Sequence, residues 1–161
     1  MRNFNKDYEK GKAQELLTLD FLNSKNCIFG KLKEDEDQFA RFDFVSLDGK
    51  FHVEHKYRGD VDLKTTRFDS LYFDYAKYKR YKELKKEDPE KRMFICWNCS
   101  GKRVIWEFKP YLWENEKGEC EFYFSKQFNQ DRGHGYAQDT DMVNVFMEAI
   151  EPIENYFIET K

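Results

Sequence analysis

The stretch FDFVSLDGKFHVEHKYR, Phe42 to Arg58, decides how this chain is read. Its alternation predicts two strands folded around Leu47-Asp48-Gly49-Lys50. Asp-Gly between alternating strands favours a two-residue type I′ hairpin with Asp48 and Gly49 as the loop. Leu47 then faces Lys50, Phe44 faces Val53 and Phe42 faces His55, and Phe51 and Tyr57 complete an apolar face. The other face carries Asp43 opposite Glu54, Arg41 opposite Lys56, and also His52 and Arg58. Like charges directly across a strand pair destabilise it, so Asp43 and Glu54 need a cation. Lys56, two residues along the same face, is one candidate. Mg²⁺ is another, because it takes oxygen ligands at about 2.0–2.1 Å and two facing carboxylates suit it. The plainer alternative is a solvated ribbon with a loose Lys/Arg/Asp/Glu network.

Outward from the hairpin, the segment from about Asp7 to Asn23 has apolar residues at Ala13, Leu16, Leu17, Phe21 and Leu22, the spacing of an amphipathic helix, which Gly11 weakens. CIFGKL predicts a short strand and KEDEDQ an acidic loop. After GDVDLKTTR a helix is expected from Asp69 or Ser70 through LYFDYAKYKRYKELKK, stopped by EDPEK. MFICW and RVIWEF read as a hairpin joined by NCSGK, with a further strand pair around Glu116-Lys117-Gly118. NQDRGHGYAQDTD is a polar loop. MVNVFMEAIEPIENYFI predicts a closing helix broken near Pro152, with Val143, Phe146, Met147, Ile150, Ile153 and Phe157 covering the sheet or forming a dimer face.

Asp43, ten intervening residues and then Glu54-His55-Lys56, preceded by a helix carrying KGKAQE (Lys10 to Glu15) and followed by a helix and a strand, resembles the PD-(D/E)XK nuclease superfamily, in particular its Holliday-junction-resolvase-type members. Phe42 stands where the family name has Pro. The resemblance covers roughly residues 10–97 and implies an α/β (α+β) single domain over 1–161. That domain would have an αβββαβ restriction-endonuclease-like core at about 7–98, a mixed sheet flanked by helices, and a C-terminal β-hairpin and helix elaboration at about 99–161. It implies Mg²⁺, with Mn²⁺ substituting, held by Asp43, Glu54 and the His55 backbone carbonyl. Glu15 would reach a metal-bound water or a second metal, and Lys56 would orient or help deprotonate the attacking water or stabilise the developing charge. Activity on DNA phosphodiesters, selective for a structure such as a junction, and a homodimer with two sites are further implications.

The remaining polar residues carry two readings each. Arg58, Lys64 and Arg67 follow the hairpin as phosphate contacts or as a solvated loop. Tyrosines at 72, 75, 78 and 81, with Lys77, Lys79 and Arg80 interleaved, either pack on the sheet or lie along a nucleic-acid backbone. The resemblance implies that Lys77 or Lys79, on the second helix, projects toward the site. Cys96 and Cys99 form a CxxC without a second ligand pair at zinc-ribbon spacing, and read as two strand thiols. His52 either assists the site or does not, His55 reads as a hydrogen-bonded core histidine, and His134 in RGHGY marks a contacting loop or an ordinary turn.

Composition sets the outer limits. A chain of 161 residues suits one domain. With 37% charged and 18% aromatic residues, few but large apolar groups must build the core. A net charge of −3 supplies no global attraction to nucleic acid, so any basic surface is local. The opening residues lack a secretory signal's apolar centre, and no run approaches the roughly 20 apolar residues of a membrane helix. With four irregularly spaced cysteines, that predicts a reducing, cytoplasmic setting. The abundance of Lys, Asn, Phe and Tyr points to an A+T-rich genome, phage or bacterial. Two functions compete with a DNA endonuclease: an inactive nucleic-acid-binding or assembly protein on the same scaffold, and an RNA or single-strand nuclease. Retention of Glu15, Asp43, Glu54 and Lys56 together favours an active site.

Overall fold

The computed structural model describes residues 4–36, 42–59, 63, 70–109, 117, 124–129 and 138–158. Helix α1, Phe4–Ser24, leads into strands β1 (Leu32–Glu34), β2 (Phe44–Ser46) and β3 (Phe51–Tyr57). After β4 (Ser70–Asp74) and helix α2 (Tyr75–Glu87) come β5 (Arg92–Cys99) and β6 (Lys102–Glu107). The later strands are β7 (Phe124–Asn129), β8 (Gln138–Phe146) and β9 (Glu151–Pro152). The larger sheet runs β1-β2-β3-β5-β6-β9, and a three-stranded sheet runs β4-β8-β7. Within the larger sheet only β3 and β5 are parallel, and α2 lies between them in the chain. The chain is therefore mixed α and β. No helix among the described residues is long and apolar enough to cross a membrane.

The hairpin register is as expected and its turn is not. Phe44 pairs with Val53 and Val45 with His52, yet Asp48 is not among the residues with positive φ, so the turn is not type I′. Instead the Gly49 N–H donates to Ser46 O, Gly49 alone is left-handed at φ 76°, and the loop spans Leu47 to Lys50. Ser46 Oγ and Asp48 Oδ1 close it, at 2.5 Å from each other. Two-residue and four-residue loops share one midpoint, which is why the register survives the wrong turn. A turn of type I′ character occurs elsewhere: Ser100 and Gly101 have φ 52° and 87° between Cys99 and its partner Lys102.

Both sheet faces are buried. On one side α1 covers Phe44, Val53, Phe94, Cys96 and Ile105 together with Phe29 and Ile153. On the other, α2 and the smaller sheet cover Met93, Ile95, Trp97 and Trp106, with Tyr78, Tyr81, Leu71, Phe73, Val143 and Val145. Strand β5 is buried on both faces, as expected of a strand with a parallel neighbour and a cover on each side. Phe42 belongs to the α2 cluster, stacked at 4.7 Å on Tyr81, and not to the face of Phe44.

Three expectations are corrected. The second helix starts at Tyr75, with Asp74 as its N-cap, because Ser70–Asp74 pairs in register with Met142–Phe146 as a strand. The closing helix does not form. Its first part is the end of β8, whose buried Met142-Val143-Asn144-Val145 run pairs with β4, Met142 and Val143 also with β7, and β-branched valines suit that position. Beyond Phe146 follow a 3₁₀ turn at Met147–Ala149, β9, and a 3₁₀ turn at Ile153–Tyr156. Among the described residues of CIFGKL and FARFDFVSL there are a Cys27–Phe157 bridge, the start of β1 and the short β2. The hairpin expected around Lys117 and the RGHGY loop lie outside the described residues, except Lys117 itself.

Candidate active site

Strand β2 pairs with β3 no further than Phe44–Val53, so Glu54 to Tyr57 have no partner strand on that flank among the described residues. Asp43 turns into this gap. Its N–H donates to Val53 O at 3.0 Å, a bond offset by one residue from the Phe44–Val53 pairing, as in a bulge. Its Oδ2 accepts the His55 N–H at 2.8 Å. Asp43 therefore lies beside Glu54 but outside the ladder, and the directly opposed pairing expected from the sequence is corrected. The same slip turns Phe42 to the α2 face.

A cleft of about 350 Å³ opens at this gap, lined by Gly11, Lys12, Glu15, Asp43, Glu54, His55 and Tyr57. Helix α1 supplies Glu15 because its inward line runs Gly11, Gln14 and Glu15, Thr18, Leu22, while Leu16 and Leu17 are 40% and 54% exposed. The leucine pair expected to face the sheet thus points outward, and the helix presents polar groups to the cleft.

The Glu54 and Lys56 charges are withdrawn from solvent. Glu54 is 6% exposed. Lys77 of α2 binds Glu54 Oε1, and Lys56 Nζ stands 3.9 Å from the same oxygen. Burial raises the Glu54 pKa, and repulsion from Asp43 adds to it. Burial pushes Asp43 from 3.8 up to about 7, helped by a hydrogen bond with the Glu15 carboxyl and opposed by the His55 N–H. Burial brings Lys56 down to about 8, with the Lys77 charge next in weight. Burial also works against the Lys77 ammonium, but Glu54, with Asp43 and Asp74 behind it, outweighs that and holds its pKa above the ordinary value.

Beneath the cleft a polar strap joins α1 to the sheet. Arg103 Nε donates to Thr18 Oγ1 at 2.9 Å, and Thr18 Oγ1 lies 3.0 Å from His55 Nε2. A guanidinium only donates, so the Thr18 hydroxyl accepts from it and gives its own hydrogen to His55. His55 is then neutral, and burial, with Arg103 and Lys56 nearby, lowers its pKa to about 4. Asn98 of β5 adds a second tie by donating to Gln14 at 3.1 Å. Thr18→Val keeps the shape but strips one partner from the buried His55 and one from the half-buried Arg103. It is expected to cost about 1–3 kcal/mol in a urea midpoint, with Thr18→Ser recovering most of it.

Of the residues singled out from the sequence, Glu15, Asp43, Glu54, His55, Lys56 and Lys77 come together. Arg58 does not line the cleft: its guanidinium lies 4.9 Å over the Tyr72 ring and donates to Tyr57 O. Lys79 lies over the Tyr75 ring and Arg80 pairs with Glu83 along the helix. His52 binds Gly49 O at the hairpin loop. Tyr78 and Tyr81 pack in the core. Cys96 and Cys99 are buried in the clusters on opposite sheet faces, so they form no ligand pair. Lys64, Arg67, Cys120 and His134 lie outside the described residues. Sequence reading missed Thr18, Arg103, Asp74 and the Lys12 bridge, in which Nζ reaches Glu15 and Glu34 at 2.7 Å each. Only the i,i+3 spacing of Lys12 and Glu15 was visible in the sequence.

No family model, curated protein or solved structure matches the chain. Among the described residues no group of three or more His, Cys, Asp or Glu side chains is placed to hold a metal ion. Mg²⁺ does not require one, since it keeps several waters and is usually held by one or two carboxylates. The donor set fits that habit. Asp43 and Glu15 lie close enough for Glu15 to raise the Asp43 pKa, and the Lys77 ammonium already pairs with Glu54.

Proposed function

We propose that this protein is a Mg²⁺-dependent nuclease that hydrolyses DNA phosphodiester bonds, built on a core similar to that of the PD-(D/E)XK superfamily. One observation carries the reading: Glu15, Asp43 and Glu54 line one cleft, and the Lys56 and Lys77 ammonium groups approach Glu54 beside it. The strand order supports it, with β1, β2 and β3 antiparallel neighbours and β5 added parallel to β3 after α2. Asp43, Glu54 and the His55 carbonyl would hold the metal, which when bound offsets the charge of the phosphate and acidifies water. Lys56, titrating near 8, positions the attacking water and donates to the charge that grows on the phosphate. Glu15 accepts from water on the α1 side of the cleft. Selectivity for a junction and action as a homodimer belong to the same proposal.

The experiment is a cleavage panel of junction, flap, duplex, single-stranded and RNA substrates, with Mg²⁺, Mn²⁺ or chelator. Metal-dependent cutting of DNA, lost in Glu54→Gln and Lys56→Ala, is the expected result. Cutting that persists in both variants overturns the assignment. One observation favours a second reading, an inactive nucleic-acid-binding scaffold: the Glu54 carboxylate already has a lysine partner. Binding without cleavage under every metal condition would decide for it.

A further inference from the structure

Lys77 behaves unlike its neighbours on α2. Lys79 rests on Tyr75 and Arg80 pairs with Glu83 on the same helix, whereas Lys77 crosses to β3 and binds Glu54 Oε1. The carboxylate it binds is 6% exposed and is also one that the proposed function assigns to the metal. Lys56 Nζ lies 3.9 Å from the same oxygen. Glu54 therefore has two ammonium groups close by before any divalent ion arrives.

A divalent ion ligated by Glu54 Oε1 and an ammonium in contact with that oxygen repel each other at short range in a poorly screened site. The two do not share the oxygen. We propose that Lys77 is the cleft's own counter-ion, that a divalent ion loads only by displacing it from Glu54, and that Lys77 thereby sets the metal affinity. This rests on the nuclease reading and goes beyond it by naming the residue that controls loading. Geometry allows the exchange. Lys77 is on a helix, its side chain is 34% exposed, and its four-carbon stem can swing the ammonium outward while the backbone stays in place. Once released, the ammonium is free to meet a phosphate oxygen at the cleft mouth. An anionic substrate then stabilises the displaced state, and metal and substrate each tighten the binding of the other by the same factor.

The test uses the wild-type chain. Lysine acetylation is followed residue by residue by mass spectrometry in chelator and with saturating Mn²⁺, and Mn²⁺ binding is measured separately by calorimetry. Lys77 labelling is expected to rise several-fold on loading, while Lys25, at the far end of α1, stays unchanged. In parallel, Lys77→Met is expected to bind Mn²⁺ about tenfold or more tightly, the ratio that corresponds to removing one charge-assisted hydrogen bond that competes with the ion. Lys77→Arg should stay near wild type. Mn²⁺ binding with unchanged Lys77 labelling overturns this inference and leaves the nuclease reading standing. No Mn²⁺ binding by the wild-type chain overturns both. Should Lys77→Met fail to fold, the wild-type labelling result decides alone.

Discussion

Asp43→Asn is expected to abolish cleavage and yet to stabilise the metal-free protein at pH 8. The first effect follows from removing a charged ligand at the reacting centre, with a loss of at least ~10²–10³-fold, as when a preorganised electrostatic partner is deleted. The second follows from the neighbours. Asp43 is held beside Glu15 and close to Glu54, so its negative charge is the costly one in this cleft. Asparagine keeps an oxygen to accept the His55 N–H and gains an amide hydrogen for the Glu15 carboxylate. Nothing is left unpaired, and one buried charge is gone.

The pH dependence gives that prediction a sign. The Asp43 pKa rises from 3.8 unfolded to about 7 folded, chiefly through burial and the Glu15 hydrogen bond. Between those values the native state binds more protons than the unfolded state, so stability falls as pH rises. The contribution is fully present below 3.8 and gone once pH passes about 7. Over that window the loss is on the order of 2–4 kcal/mol. Lys56 acts with the opposite sign: its folded pKa near 8 lies below the ordinary 10.5, so stability is gained only as pH rises above 8. Urea midpoints in chelator from pH 4 to 7.5 should therefore decline in the wild type and flatten in Asp43→Asn. A variant with the wild-type slope would show that Asp43 is not the titrating group. Saturating Mg²⁺ should flatten the wild-type curve in the same way, because a bound cation takes the place of the proton on Asp43.

How much of this was legible in the sequence depends on what each residue's neighbours are. The Phe44–Val53 register was legible because alternation and a turn signal lie within one short stretch. The convergence of Asp43, Glu54 and Lys56 followed from it, although the bulge at Asp43 did not, since nothing local announces where pairing stops. Helix α1 was found and its inward face was misread. Amphipathic reasoning assigns the core to leucines, and here the inward line is Gly11, Gln14, Glu15 and Thr18, polar because it faces the cleft. The strands β4 and β8 were read as helix for a related reason. Each is specified by pairing with the other across some seventy residues of chain, and SLYFD or MVNVF taken alone has no period that chooses between helix and strand. Arg103 reaches Thr18 and His55 through the tertiary fold alone.

The largest stability effect is expected at Trp97. It is fully buried in the cluster where β5, α2 and the smaller sheet meet, and its indole N–H donates to Tyr72 O of β4 at 3.3 Å. Trp97→Ala removes the largest class of side chain from that junction and strands the Tyr72 carbonyl. The expected loss is about 3–5 kcal/mol, a large part of the ~5–15 kcal/mol that holds a domain of this size. The urea midpoint should fall accordingly, and Trp97→Phe should recover part of the loss by refilling the space. The effect should also reach the cleft. Trp97 is the register partner of Lys56 in the parallel β3–β5 pair, so the two side chains neighbour each other on one sheet face. A cavity there admits water toward Lys56, and the burial that holds its pKa near 8 is relieved. In whatever fraction of Trp97→Ala still folds, the Lys56 pKa measured by ¹³C-methyl labelling should move back toward 10.5. An unchanged Lys56 titration beside a lost midpoint would separate the core from the site and show that the Lys56 environment is set by Lys77 and Glu54 alone.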